Sequence, residues 1–101
     1  VVTKPRESEA GFQGWVVDLA TLNGWRVYHT LFSKGSEAGW PDLSLVRSPR
    51  FIVAEVKAED GRVTRDQWGR LDALSACGIE TYVWRPSDRP TIERLLGKGG
   101  T

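Results

Sequence analysis

Cysteine and histidine are almost missing from this chain, with one of each among 101 residues. The single Cys77 excludes an internal disulfide framework. With His29 as the only other soft ligand, a zinc ribbon or finger is excluded as well. No apolar run approaches the roughly 20 residues that a membrane-spanning helix needs, and no basic-then-apolar leader opens the sequence, so the expectation is a soluble intracellular domain. An excess of one charge is also lacking. Fourteen Lys and Arg against 13 Asp and Glu leave a net charge of +1, and bulk electrostatics gives no argument for a polyanionic partner. There is no internal repeat and no low-complexity segment.

What is present argues for a folded body. Apolar residues make up 40% of the chain, charged residues 27%, and there are five Trp, which does not suit long disorder. The length is that of one domain, residues 1–101 with a core over about 7–96, able to bury about 65% of its extended surface. Ten of the 14 basic residues are Arg, whose planar fork suits phosphate, and several fall close together: Arg47 with Arg50, Arg62 with Arg65 and Arg70, and Arg85 with Arg89 and Arg94.

The apolar spacing changes period along the chain. Residues 7–22 read as a helix with Phe12, Val16, Leu19 and Ala20 on one face, Glu7 and Glu9 in its first turn, and Asn23-Gly24 as the stop. Trp25 to Phe32 reads as a strand and Ser33 to Pro41 as a loop. Asp42 to Val46 and Phe51 to Lys57 read as two more strands joined by the turn Arg47-Ser48-Pro49-Arg50. After the turn Glu59-Asp60-Gly61, Thr64 and Gln67 form a capping box that starts a helix over Thr64 to Cys77, with Trp68, Leu71 and Leu74 as its apolar stripe and Gly78 as its stop. Glu80 to Trp84 reads as a fourth strand, and Asp88 to Leu96 as a last helix burying Ile92, Leu95 and Leu96. Cys77 reads as core filler. The order α-β-β-β-α-β-α gives a mixed α/β fold: an antiparallel meander, a parallel fourth strand after the helical crossover, and helices flanking the sheet.

A turn centred between Ser48 and Pro49 pairs Arg47 with Arg50, Val46 with Phe51, and Asp42 with Glu55. Directly opposed residues share a face, and Lys57, two positions beyond Glu55, shares it too. Three charges then converge at one sheet end, although Phe51, Val53, Ile52, Ala54 and Val56 give the pattern of a strand covered on both sides. A buried Glu55 needs compensation. Two carboxylates about 4 Å apart repel by roughly 4 kcal/mol at an effective dielectric of 20, and a divalent cation reverses that sign. Magnesium takes one or two carboxylates together with waters and phosphate oxygens. The alternative is an exposed edge strand in which Glu55 and Lys57 are an ordinary ion-pair neighbourhood and Asp42 a turn residue; an odd-length loop would put Asp42 on the other face.

Gly39-Trp40-Pro41-Asp42-Leu43 followed by Glu55-Val56-Lys57 resembles the PD-(D/E)XK nuclease signature. Glu9-x-x-Phe12-Gln13, Tyr28-His29, Gln67 and Tyr82-Val83-Trp84-Arg85-Pro86 are similar to the VRR-NUC family of that superfamily, over residues 8 to 96. The resemblance implies a restriction-endonuclease-like fold with a four-stranded mixed sheet. It implies a metal-dependent DNA endonuclease that uses Mg2+ or Mn2+ to hydrolyse phosphodiester bonds. Asp42 and Glu55 would hold the ion, with the Val56 carbonyl and Glu9 as further ligands and Lys57 orienting water and stabilising negative charge. Glu9 also reads as a helix N-terminal charge, with Glu7 as competitor. Gln67 is placed beside the site, against its reading as a capping partner alone.

Gln13 and His29 are weaker candidates. Arg62, Arg65 and Arg70 would grip phosphates. Any of the five Trp could stack on unpaired bases, but Trp15, Trp25, Trp68 and Trp84 fit apolar faces, and Trp40, in the loop before Asp42, is the one that would meet DNA. Single-domain members resemble junction resolvases, which implies a branched DNA substrate and, for symmetric incision of two strands, a homodimer. The implied setting is the cytoplasm of a bacterial or phage-infected cell. A non-catalytic DNA-binding module that keeps the fold is the alternative.

Overall fold

The computed structural model describes residues 7–31 and 39–98. Phe32 and most of the loop before Gly39 lie outside them. Helix α1 (Glu9–Leu22) leads into strand β1 (Arg26–His29), then β2 (Leu43–Arg47), β3 (Arg50–Val56), α2 (Arg65–Ala76), β4 (Glu80–Trp84), a 3-10 turn (Pro86–Asp88) and α3 (Arg89–Leu96). The sheet order is β1-β2-β3-β4, antiparallel across the first two pairs and parallel between β3 and β4. The expected order of elements and the mixed four-stranded sheet are both present. No helix among the described residues is long and apolar enough to cross a membrane.

The local causes are those of the sequence. Ser8 caps α1 by accepting the Gly11 N–H at 3.0 Å. Asn23 closes it through Nδ2 donating to the Leu19 carbonyl at 2.8 Å, and Gly24 takes the positive φ of 83° that turns the chain into β1. The Arg47–Arg50 turn sets the register of the central hairpin, with Val46 opposite Phe51 and Leu43 opposite Ala54. That register puts Leu43, Leu45, Ile52, Ala54 and Val56 on one face, where they bury with Phe12, Val16 and Ala20 of α1 and Ile92 and Leu96 of α3.

The opposite face is only half covered. Helix α2 packs against β4, and Val53 and Glu55 are buried, yet Phe51 is 41% exposed and β1 runs exposed along the edge. The two-sided burial expected of β3 therefore holds at its C-terminal end and fails at its start. For the same reason the stripe expected on α2 shrinks to Leu71: Trp68 is 50% exposed and Cys77, at the helix C-cap, faces solvent instead of filling the core.

Two of the arginine groups hold the fold. Arg47 donates to the carbonyls of Asn23, Leu96 and Gly97, and Arg50 to that of Leu95, so both satisfy the C-terminus of α3, which has few partners of its own. Both guanidinium groups also lie over the Trp25 ring. Arg50 pairs with Glu80 at 2.8 Å and holds its carboxyl below the usual range. Arg89 pairs with Glu7 and covers Phe12 and Trp15, which accounts for Glu7 without any role at the sheet end.

Candidate active site

The meander brings the end of β1, the start of β2 and the end of β3 to one edge of the molecule. Thr30 continues the β1 pairing by donating its N–H to the Asp42 carbonyl at 2.8 Å and its hydroxyl to that of Pro41. Asp42 thus sits one residue ahead of β2 with its backbone fixed. Its side chain crosses to β3, where Oδ2 accepts the Val56 N–H at 2.8 Å. Gly39 abuts α2 from the same loop: its φ is +91°, and a Cβ there would stand 2.7 Å from the carbonyl of Asp66. This close approach, which only glycine permits, seats the Trp40-Pro41-Asp42 segment against the first turn of the helix that carries Gln67.

Among the described residues Glu55 is the only charged one that is buried, at 2% exposure. Its Oε2 accepts from Gln67 Nε2 at 2.9 Å and lies 3.5 Å from Lys57 Nζ. Its Oε1 is buried and accepts from no donor. Burial first, then the negative charge of Asp42 and a hydrogen bond to it, push the Glu55 carboxyl up to about 7, while Lys57 pulls the other way. One ammonium is therefore too little for two facing carboxylates, and two things relieve the pair: a proton shared with Asp42, or a cation. Hard oxygen donors with one orphaned and buried oxygen suit a divalent ion such as Mg2+ or Mn2+.

Gln67 both caps its helix and contacts Glu55. Thr64 Oγ1 accepts the Gln67 N–H at 3.1 Å, and Gln67 Oε1 accepts the Thr64 N–H at 2.9 Å, which closes the capping box. With the amide oxygen held by the cap, the amide nitrogen is left to donate to Glu55. The cap thereby fixes the amide that reaches Glu55.

Glu9 stands exposed in the first turn of α1, and among the described residues no group of three or more His, Cys, Asp or Glu converges. Helix α1, which carries Glu9, covers the face of Leu43 and Val56, whereas Glu55 points to the face of α2. Gln13, one turn further, lies 3.3 Å from the exposed His29. Val56 contributes its N–H to Asp42, and its side chain belongs to the core. Trp40 is 47% exposed beside Asp42.

Arg62 and Arg65 line an open cavity of about 560 Å³ with Val63, Trp68 and Arg85. Arg70, half-buried on α2, is outside its lining. Arg85 Nη1 donates to the carbonyls of Ala58 and Gly61 at 3.0 and 2.6 Å, fixing the turn that follows Lys57. Trp68 and Arg85 were not legible as site residues. Trp68 matches helical apolar spacing, and Arg85 stands in the sequence as one of a group with Arg89 and Arg94 and in the Tyr82 to Pro86 motif, neither of which ties it to the cavity.

The fold and the sheet-end cluster define an α/β domain with a paired-carboxylate and lysine site. Among solved structures it is similar to a VRR_NUC domain protein, with a TM-score of 0.70 at 22% identity, covering 91% of this chain and 92% of that one. The likeness shows a VRR-NUC-like fold over nearly the whole of both chains. No family model matches the chain, and no curated protein does.

Proposed function

We propose that this domain is a metal-dependent DNA endonuclease that hydrolyses phosphodiester bonds, acting on branched DNA as a homodimer. The observation that carries the reading is the buried Glu55, whose Oε1 lacks any donor while Asp42 faces it and Lys57 lies 3.5 Å from its other oxygen. A structural ion pair would be matched in charge and satisfied in hydrogen bonds, whereas this cluster carries one acid too many.

Asp42 and Glu55 would hold Mg2+ or Mn2+, with the Val56 carbonyl as a further protein donor. When bound, the ion supplies screening of the phosphate charge and a more acidic water. The chain's own residues do the rest. Val56 keeps Asp42 oriented through its N–H, and Gln67 keeps Glu55 from turning away. Lys57, only 12% exposed, holds its ammonium in a low-dielectric setting where it favours the extra negative charge of a pentavalent phosphorus. Arg62 and Arg65 offer phosphate contacts that position a strand without reading its sequence. Symmetric cutting of a four-way junction requires two such centres, which is the basis for the homodimer.

Cleavage of a supercoiled plasmid and of a labelled four-way junction in Mg2+ or Mn2+, with Asp42→Asn and Lys57→Ala as comparisons, tests the reading. Metal-dependent cutting that both substitutions abolish is expected. Junction binding without turnover in either metal would leave a DNA-binding module on the same fold and remove the hydrolytic assignment.

A further inference from the structure

Trp68 presents a contradiction that the carboxylate cluster does not resolve. It occupies a helical position in register with the buried Leu71, yet half of its surface is open to solvent. An indole left out of the core is costly in apolar exposure, and its surroundings are not those of a solvated helix face. Trp68 forms one wall of the 560 Å³ cavity whose other walls include Arg62, Arg65 and Arg85. Arg62 and Arg65 are exposed, and neither meets a carboxylate partner among the described residues.

The cavity adjoins the carboxylate cluster along two chain segments. On α2, Asp66 and Gln67 stand between Arg65 and Trp68, and Gln67 reaches Glu55 at 2.9 Å. On the other side, Arg85 holds the turn that begins immediately after Lys57. A strand with a phosphate at Asp42 and Glu55 would run on towards this cavity. The volume falls in the range of small-ligand sites.

We infer that the Arg62, Arg65 and Trp68 cavity is a subsite for one unpaired nucleotide of a DNA strand, its base stacked on the Trp68 indole and its phosphates held by Arg62 and Arg65. This rests on the reading of the neighbouring cluster as a phosphodiester site. A base within a duplex is stacked on both sides and has no face to offer an indole, so the subsite selects DNA that is single-stranded next to the cut. In a four-way junction, whose arms are paired, the nucleotide that enters is one unstacked at the branch point; every base has a π-face, so the selection is for strand structure and not for sequence. Arg85 is a positioning residue here, since its Nη1 is engaged with backbone carbonyls.

The test is fluorescence anisotropy in EDTA, where cleavage does not enter, with a labelled oligothymidylate and a blunt duplex of equal length as probes. Wild type should bind the oligothymidylate more tightly. Trp68→Ala should weaken that binding by about 5- to 100-fold while changing duplex binding by less than about twofold, and Trp68→Phe should restore most of it. Arg62→Ala should lower the salt dependence of oligothymidylate binding by about 0.7 in log–log slope. With melting temperatures unchanged, a Trp68→Ala protein that binds the oligothymidylate like wild type, or loses both probes equally, overturns the subsite. The two readings fail separately. Trp68-dependent binding by a protein that cuts nothing in any metal removes hydrolysis and keeps the subsite, whereas cutting with Trp68-independent binding removes the subsite alone.

Discussion

Replacing Glu55 by Gln should stabilise the metal-free protein at alkaline pH. In the fold the carboxyl titrates near 7 against an ordinary value of 4.5, raised by burial and by Asp42. An acid whose pKa is raised on folding favours the compact state while it is protonated. Its contribution is therefore full below pH 4.5, falls as pH rises towards 7, and is absent above that. At about 1.4 kcal/mol per pH unit the loss amounts to about 3 kcal/mol. Glutamine keeps the acceptor for Gln67 and the shape of the side chain but cannot ionise, so it escapes the loss. Urea unfolding in EDTA at half-unit steps from pH 4.5 to 8 should show the two proteins diverging by up to about 3 kcal/mol, a melting difference on the order of 10 °C for a domain of this size. Taking the difference cancels the other titrating groups. Added Mg2+ should narrow the gap from the wild-type side only, because the ion offsets a repulsion that the Glu55→Gln protein no longer has. Parallel stability curves would refute the reasoning: they would mean that the fold does not oppose the charge of Glu55, and the case for a cation at that position would go with it.

Three further outcomes are expected. Gly39→Ala meets both a left-handed backbone at φ +91° and a carbonyl 2.7 Å away, so it should lower stability by more than about 1 kcal/mol and reduce cleavage, read by melting and plasmid nicking; a wild-type melting curve would contradict the docking of this loop on α2. Gln67→Ala removes the cap's return bond and the Glu55 donor together and should cost about 1–3 kcal/mol, whereas Thr64→Ala should cost about 1 kcal/mol, by denaturant midpoint. Arg50 keeps Glu80 below the usual carboxylate range, so the pair contributes above that range and its contribution is lost as pH falls through it; Glu80→Gln should erase this acid-side loss in a pH series of melting temperatures.

The hairpin register was legible because a two-residue turn leaves one pairing, and a period of two then settles which residues share a face. Asp42, Glu55 and Lys57 follow from that arithmetic, and the capping box at Thr64 follows from local chemistry. Placement of the layers was not legible. Nothing in the spacing of Trp68, Leu71 and Leu74 tells that α2 covers only the β3 and β4 side of its face, nor that α1 and the Glu55 side chain lie on opposite faces of the sheet. Arginine count was misleading for a related reason. Arg47 and Arg50 serve carbonyls at the end of α3, partners distant in sequence that only the tertiary structure reveals.

Gln67 ties the opening turn of a helix to a buried acid, and helix ends are where a protein ordinarily loosens first. Fraying at Thr64 would thus withdraw an amide from Glu55 in the same movement. The time this turn spends wound becomes the time the carboxylate is aimed, and slow hydrogen exchange at the Gln67 amide would be its visible trace.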